Sequence, residues 1–140
     1  MKETTESMAL VEKITDGDTL IAYIVRAEKM PKQTEFVTPH EVKQQVGFIV
    51  YPKGGEVVRH THIPLERHLV GTSEVLLVRK GLLEMDLYTE TKKWMGTWVL
   101  REGDLVLLIA GGHGFRFLED SVLLEIKQGP YTGLAEKETF

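Results

Sequence analysis

The sequence predicts an all-β fold, a single antiparallel sandwich or barrel, and three observations carry that expectation. From Val46 onward, short apolar segments recur about every 8 to 12 residues, separated by Lys53-Gly54-Gly55, Lys80-Gly81, Glu102-Gly103-Asp104, Gly111-Gly112 and Glu119-Asp120. Inside these segments apolar residues alternate with polar ones: Leu83, Met85 and Leu87 interleave with Glu84, Asp86 and Tyr88, the period of a strand with one buried face. The 140 residues, 42% of them hydrophobic, make one domain able to bury a core without covalent staples.

Along the chain, residues 1–7 are polar and expected to fray. Leu20 to Val25 is apolar at every position, the pattern of a strand covered on both faces, so another segment has to lie over its second side. Thr38-Pro39-His40-Glu41 combines a capping residue, a proline in the first turn and an acidic residue three positions on, which predicts one short N-terminal helix through about Gln45. Residues 1–45 then form an extension with a strand and this helix, 46–128 the barrel core, and 129–140 a turn-rich polar tail wrapped around the outside. Within the core, Val122, Leu124 and Ile126 share one parity, opposite Leu123, Glu125 and Lys127, and one of these sides is interior.

Composition narrows the function. There are no cysteines, which removes disulfides, thiolate metal sites and cysteine nucleophiles together. The net charge is -4 and the 17 basic residues are dispersed, without the positive stripe that counterion-release binding to DNA or RNA needs. The longest apolar runs, Leu20 to Val25 and Leu105 to Ala110, fall short of the ~20 residues a bilayer requires, and the first ten residues lack the apolar stretch of a secretion signal. A cytoplasmic protein is expected, with no nucleic acid or membrane partner.

Two of the five histidines form His60-Thr61-His62 after the Gly54-Gly55 turn. On a strand both imidazoles point the same way as Val58, whose apolar side chain marks that side as interior. Paired neutral imidazoles are ligands for Zn, Fe, Mn, Ni and Cu; the alternative is two core histidines bonded to backbone. Glu74 shares parity with Leu76 and Val78, and His113 with Phe115 and Phe117, so a carboxylate and a third imidazole are also expected to face inward. An inward carboxylate needs a cation or strong donors beside it.

These residues resemble the cupin superfamily. Gly54-x5-His60-x-His62 followed by Glu74-x6-Gly81 is similar to its first motif, and Gly103-x5-Ile109-x-Gly111-x-His113 to its second, across about Phe48 to Lys127. The resemblance implies a double-stranded β-helix, a small jelly-roll barrel, holding one divalent metal ion (Zn, Mn, Fe, Ni or Cu) through His60, His62, Glu74 and His113. Eleven residues, Ile63 to Ser73, stand where the family's first motif has a gap of three or four. Glu66 therefore fits the spacing after His62, whereas Glu74 fits the spacing before the glycine turn and leads directly into an alternating strand; Glu74 is the preferred ligand. The second motif has Ile109 where a proline is usual and Phe117 where an asparagine is common.

With four protein ligands, a five- or six-coordinate ion keeps positions open for water or substrate. Dioxygenation follows naturally from Fe, Ni or Cu, and Lewis-acid isomerisation or hydrolysis from Zn or Mn, in either case on a small organic or sugar-like substrate. Glu66, Arg67 and His68, in the loop beside the predicted metal strand, are candidate catalytic residues as general base, anion clamp and proton shuttle; the alternative is a solvated charged loop. A metal-independent barrel that binds or isomerises a sugar or nucleotide-sugar is the second reading, with a histidine as general base, and a non-catalytic sensor of a small ligand the third. Arg116 is predicted outward and stays outside the site, and Trp94 and Trp98 are read as packing residues. The two-sided apolar runs Leu20 to Val25 and Val46 to Tyr51 exceed what one small barrel hides and predict a homodimer.

Overall fold

The computed structural model describes residues 9–133 and 135–140, and their regular structure is all strand. The expectation of a frayed segment over residues 1–7 lies outside the described residues. Ten strands form: β1 (Glu12–Asp16), β2 (Thr19–Val25), β3 (Glu35–Phe36), β4 (Gly47–Phe48), β5 (Glu74–Lys80), β6 (Leu82–Tyr88), β7 (Trp94–Arg101), β8 (Leu105–Leu108), β9 (Gly112–Phe117) and β10 (Val122–Lys127). A five-stranded sheet runs in the order β1-β2-β8-β5-β10, a three-stranded sheet in the order β7-β6-β9, and β3 with β4 makes a short pair. Every pairing is antiparallel.

Period-2 alternation explains how the two larger sheets pack. Ile14, Ile21, Ile24, Leu76, Val78 and Val106 from the first meet Leu83, Met85, Leu87 and Leu100 from the second in one apolar cluster. Leu83, Met85 and Leu87 are fully buried, as their alternation predicts. Each such side chain, moved out of water, contributes roughly 1.5–3 kcal/mol. Strands β1 and β2 belong to the same sheet as the central strands, so residues 12–25 are part of the core and not an appendage to it.

The continuous apolar run of β2 is buried on both sides, and the covering segment is the one from which a helix was expected. On the outer face of the five-stranded sheet, Tyr23, Val75 and Leu107 pack with Val42 and Val46. Residues 38–45 form turns, and the predicted N-terminal helix is absent. Thr38 does cap, but it caps a loop. Its Oγ1 accepts from the Val46 N–H at 3.1 Å and donates to Gln45 Oε1 at 2.8 Å, while Gln45 Nε2 donates to the carbonyls of Pro39 and Val42. A helix of two turns scarcely recovers its nucleation cost. Burial of Val42 and Val46 against the sheet, with the Gln45 amide satisfying the carbonyls, wins over it.

The β7–β8 turn is built around Asp104, which is buried. Gly103 takes the left-handed φ of +89° that the tight reversal requires, and its N–H donates to the Val78 carbonyl. The Asp104 carboxylate accepts from Arg26 Nη1 at 3.0 Å and from the N–H groups of Ala27 and Arg101, both at 2.9 Å.

Two further expectations are corrected. The apolar run Val46 to Tyr51 forms strand only at Gly47–Phe48, and the strand predicted to carry His60 and His62 does not form. Residues 51–72 are exposed throughout, and Val58, expected to mark an interior face, is 80% exposed. A strand acquires its faces only by pairing with a neighbour, and this segment pairs with none among the described residues. No helix among the described residues is long and apolar enough to cross a membrane.

Candidate functional site

Glu74 opens β5 on the face of Leu76 and Val78, which places its side chain between the two large sheets. His113 lies on β9 directly across from Leu87, a fully buried residue of β6, so it faces the same interior from the opposite sheet. Gly111 sets the entry to β9: its φ is +72°, and a Cβ there would stand 2.2 Å from the Tyr88 carbonyl oxygen. At the mouth of the sandwich, His113 Nε2 and Glu74 Oε2 are 3.9 Å apart, with side chains 31% and 15% exposed.

A second carboxylate joins them. The β5–β10 register sets Glu125 opposite Leu76 and Lys127 opposite Glu74, on the same inner face. Burial, followed by a hydrogen bond and charge repulsion from Glu125, pushes the Glu74 carboxyl up to about 7, against the weaker pull of Lys127 and Lys137. His113 moves the other way: burial and then Lys137 hold its pKa below the ordinary imidazole value, against the pull of Glu125. Lys137 belongs to the tail, which folds back past the start of β9: Lys92 Nζ bonds Glu138 Oε1 at 2.9 Å, and the Phe140 ring packs edge-on against Tyr88 with 5.0 Å between centroids.

These shifts have opposite consequences for stability. The folded state holds the Glu74 proton more tightly than the unfolded chain, so this contribution is full below about pH 4.5 and is lost as pH rises toward about 7. The lowered imidazole of His113 contributes in the other sense, its share lost as pH falls below the ordinary imidazole range. In chelator-treated protein, the stability of wild type relative to Glu74→Gln should fall by about 1–2 kcal/mol between pH 5 and 7.5, a range discounted for the solvent that reaches the site. Urea titrations at both pH values check it; a flat difference would contradict a protonated Glu74.

The remaining sequence candidates lie elsewhere. His60 and His62 are on the exposed segment, their rings 5.2 Å apart. His60 Nδ1 is 2.8 Å from the Val58 carbonyl, an acceptor only, so Nδ1 carries the proton and the Nε2 lone pair is left for a ligand. Glu66, Arg67 and His68 are exposed on the same segment. Glu74 and His113 are thus brought together; His60, His62, Glu66, Arg67 and His68 do not join them.

Among the described residues no group of three or more His, Asp or Glu side chains is gathered closely enough to hold a metal ion. Glu74 and His113 fit such an ion as half of a set, since a carboxylate oxygen and an imidazole nitrogen suit the first-row divalent metals. Of two faces possible for β10, the more polar one, with Leu123, Glu125 and Lys127, is inward, while Val122, Leu124 and Ile126 are 54%, 44% and 55% exposed. Glu125 and Lys127 were legible in that parity but not chosen by it, because apolar content points the wrong way on a strand at a sheet edge. Arg116 faces outward as expected, bonded to Glu84 at 2.7 Å and to Asp86. Trp98 packs on the core, whereas Trp94 is 63% exposed on the edge strand β7. A cavity of about 420 Å³ lies by the outer face of the five-stranded sheet, lined by Leu20, Val42, Ile109 and Gln128, with neither Glu74 nor His113 on its wall.

No family model matches the chain, and no significant match to it is found among curated proteins or solved structures.

Proposed function

We propose that this protein is a divalent-metal-binding barrel of the cupin type, acting on a small organic or sugar-like substrate as a dioxygenase or isomerase. The observation that carries the reading is the convergence of Glu74 and His113, two metal-compatible donors from different sheets, at a partly open mouth. His60 and His62 would complete the ligand set, and the pre-set tautomer of His60 favours it as a donor. The bound ion, one of Zn, Mn, Fe, Ni or Cu, would supply Lewis-acid or redox chemistry to a chelating substrate. Glu125 would orient the Glu74 carboxylate, and Glu66, Arg67 and His68 would serve the substrate as base, anion clamp and proton shuttle.

A second reading rests on the Glu74–Glu125 carboxyl pair beside a neutral imidazole: metal-independent acid–base chemistry on a sugar, with Glu74 as acid and His113 as base. Elemental analysis of protein purified without a metal-binding tag separates the two. The metal reading expects close to one ion per chain, lost in a His60→Ala variant that retains its circular dichroism spectrum. A metal-free wild type that turns over substrate in chelator would replace it with the acid–base reading.

A further inference from the structure

Strand β9 ends the three-stranded sheet and β10 ends the five-stranded one; each has one hydrogen-bonded neighbour among the described residues. These two edges flank the Glu74–His113 pair, since Glu74 pairs with Lys127 of β10 and His113 sits on β9. Both display apolar side chains to water, Phe117 at 55% and Leu118 at 52% by the end of β9, and Ile126 at 55% on β10. A bare strand edge beside exposed apolar surface invites another strand.

The same chain holds a segment with the complementary deficit. Residues 51–72 are exposed from end to end, and Val58, Ile63 and Val70 are 80%, 84% and 84% exposed. Around His60 the sequence alternates, with Val58, His60 and His62 on one parity and Val57, Arg59, Thr61 and Ile63 on the other. Residues 57–63 pair with no strand among the described residues. At about 3.3 Å per residue the exposed segment spans tens of ångströms when extended, enough to reach another molecule.

We infer that residues 57–63 of a second copy of this chain add as a strand to the bare edge of β9, in a reciprocal exchange that builds each site from two chains. One chain supplies Glu74 and His113; the other supplies His60 and His62, on the parity that faces His113 and Phe115. The arrangement is isologous: one two-fold axis satisfies both β9 edges and both exchanged segments. The earlier expectation of a dimer relied partly on Leu20 to Val25, which Val42 and Val46 cover within the chain; the exchanged segment supplies a different surface. The metal half of this inference rests on the proposed function, and the strand exchange does not.

Sedimentation at micromolar concentration should give a dimer, and a Val58→Asp/Ile63→Asp double variant a monomer. The deciding experiment co-expresses a His60→Ala/His62→Ala chain with a His113→Ala chain, each with its own affinity tag free of histidine, and isolates the mixed dimer. With Mn2+ the mixed dimer should bind one ion where either parent homodimer binds none. If wild type binds one ion per chain and the mixed dimer binds none, the site lies within one chain; the exchange is then wrong and the metal reading stands. If wild type dimerises but binds no metal, the metal reading fails, and hydrogen exchange on wild type decides the rest. Amides 57–63 protected in the dimer and not on dilution to monomer support the exchange, and unprotected amides overturn it. A monomeric wild type overturns it outright.

Discussion

Replacing Asp104 by alanine is expected to destabilise the fold by about 3 kcal/mol, because one carboxylate organises a turn, two backbone donors and a part-buried arginine. The N–H groups of Ala27 and Arg101 and the Arg26 guanidinium all donate to it, and its side chain is 4% exposed. Truncation leaves these donors facing a void that Gly103 on the turn cannot fill. The loss should stay at the lower end for a broken buried pair, since Arg26 keeps Glu12 at 3.1 Å and the Val99 carbonyl at 2.6 Å. Asp104→Asn, which preserves shape and one acceptor oxygen, should fall between the two. Urea unfolding of the three proteins measures this; a loss below about 1 kcal/mol for alanine would mean the turn is set by its backbone alone.

Alanine at His113 is expected to weaken Mn2+ or Zn2+ binding at least 100-fold, about 2.7 kcal/mol, since losing a direct ligand should exceed the 10- to 100-fold typical of losing a residue that merely supports one. The imidazole is half of the converged donor pair, and its partner Glu74 is already strained by burial and by Glu125. Arg116→Ala serves as the control: three residues along the same strand and facing out toward Glu84 and Asp86, it should leave the affinity unchanged. Calorimetric titration of both variants gives the comparison. Equal affinity in His113→Ala and wild type would remove this histidine from the ligand set, whatever else binds.

How much of this was readable beforehand varies with the reach of the signal. The inner face of β6 follows from three alternating residues, and the burial of β2 on two sides from an unbroken apolar run; both are properties of a few consecutive side chains. The inward placement of Glu74 and His113 follows equally from parity with Leu76 and Phe115. Signals that needed a partner misled. Thr38 and Gln45 hold the start and end of a helix-like motif, yet the sheet beneath Val42 and Val46 decided the loop. His60 and His62 sit on an alternating stretch, but alternation without a neighbouring edge makes no strand, and the segment stays in water. On β10 the apolar parity faced out, because an edge strand exposes whichever side the opposite sheet fails to cover.

Period, parity and turn chemistry, read from the chain alone, determined the all-strand class, the core residues of β6 and the interior aim of one acid and one imidazole. Tertiary structure alone decided which segment covers β2, which face of β10 looks inward, and that Glu125 lies close enough to Glu74 to raise its pKa. The reason is one of distance along the chain: a side chain's direction is set by its immediate neighbours, whereas its company is set by residues tens of positions away, through pairing registers that no local pattern encodes.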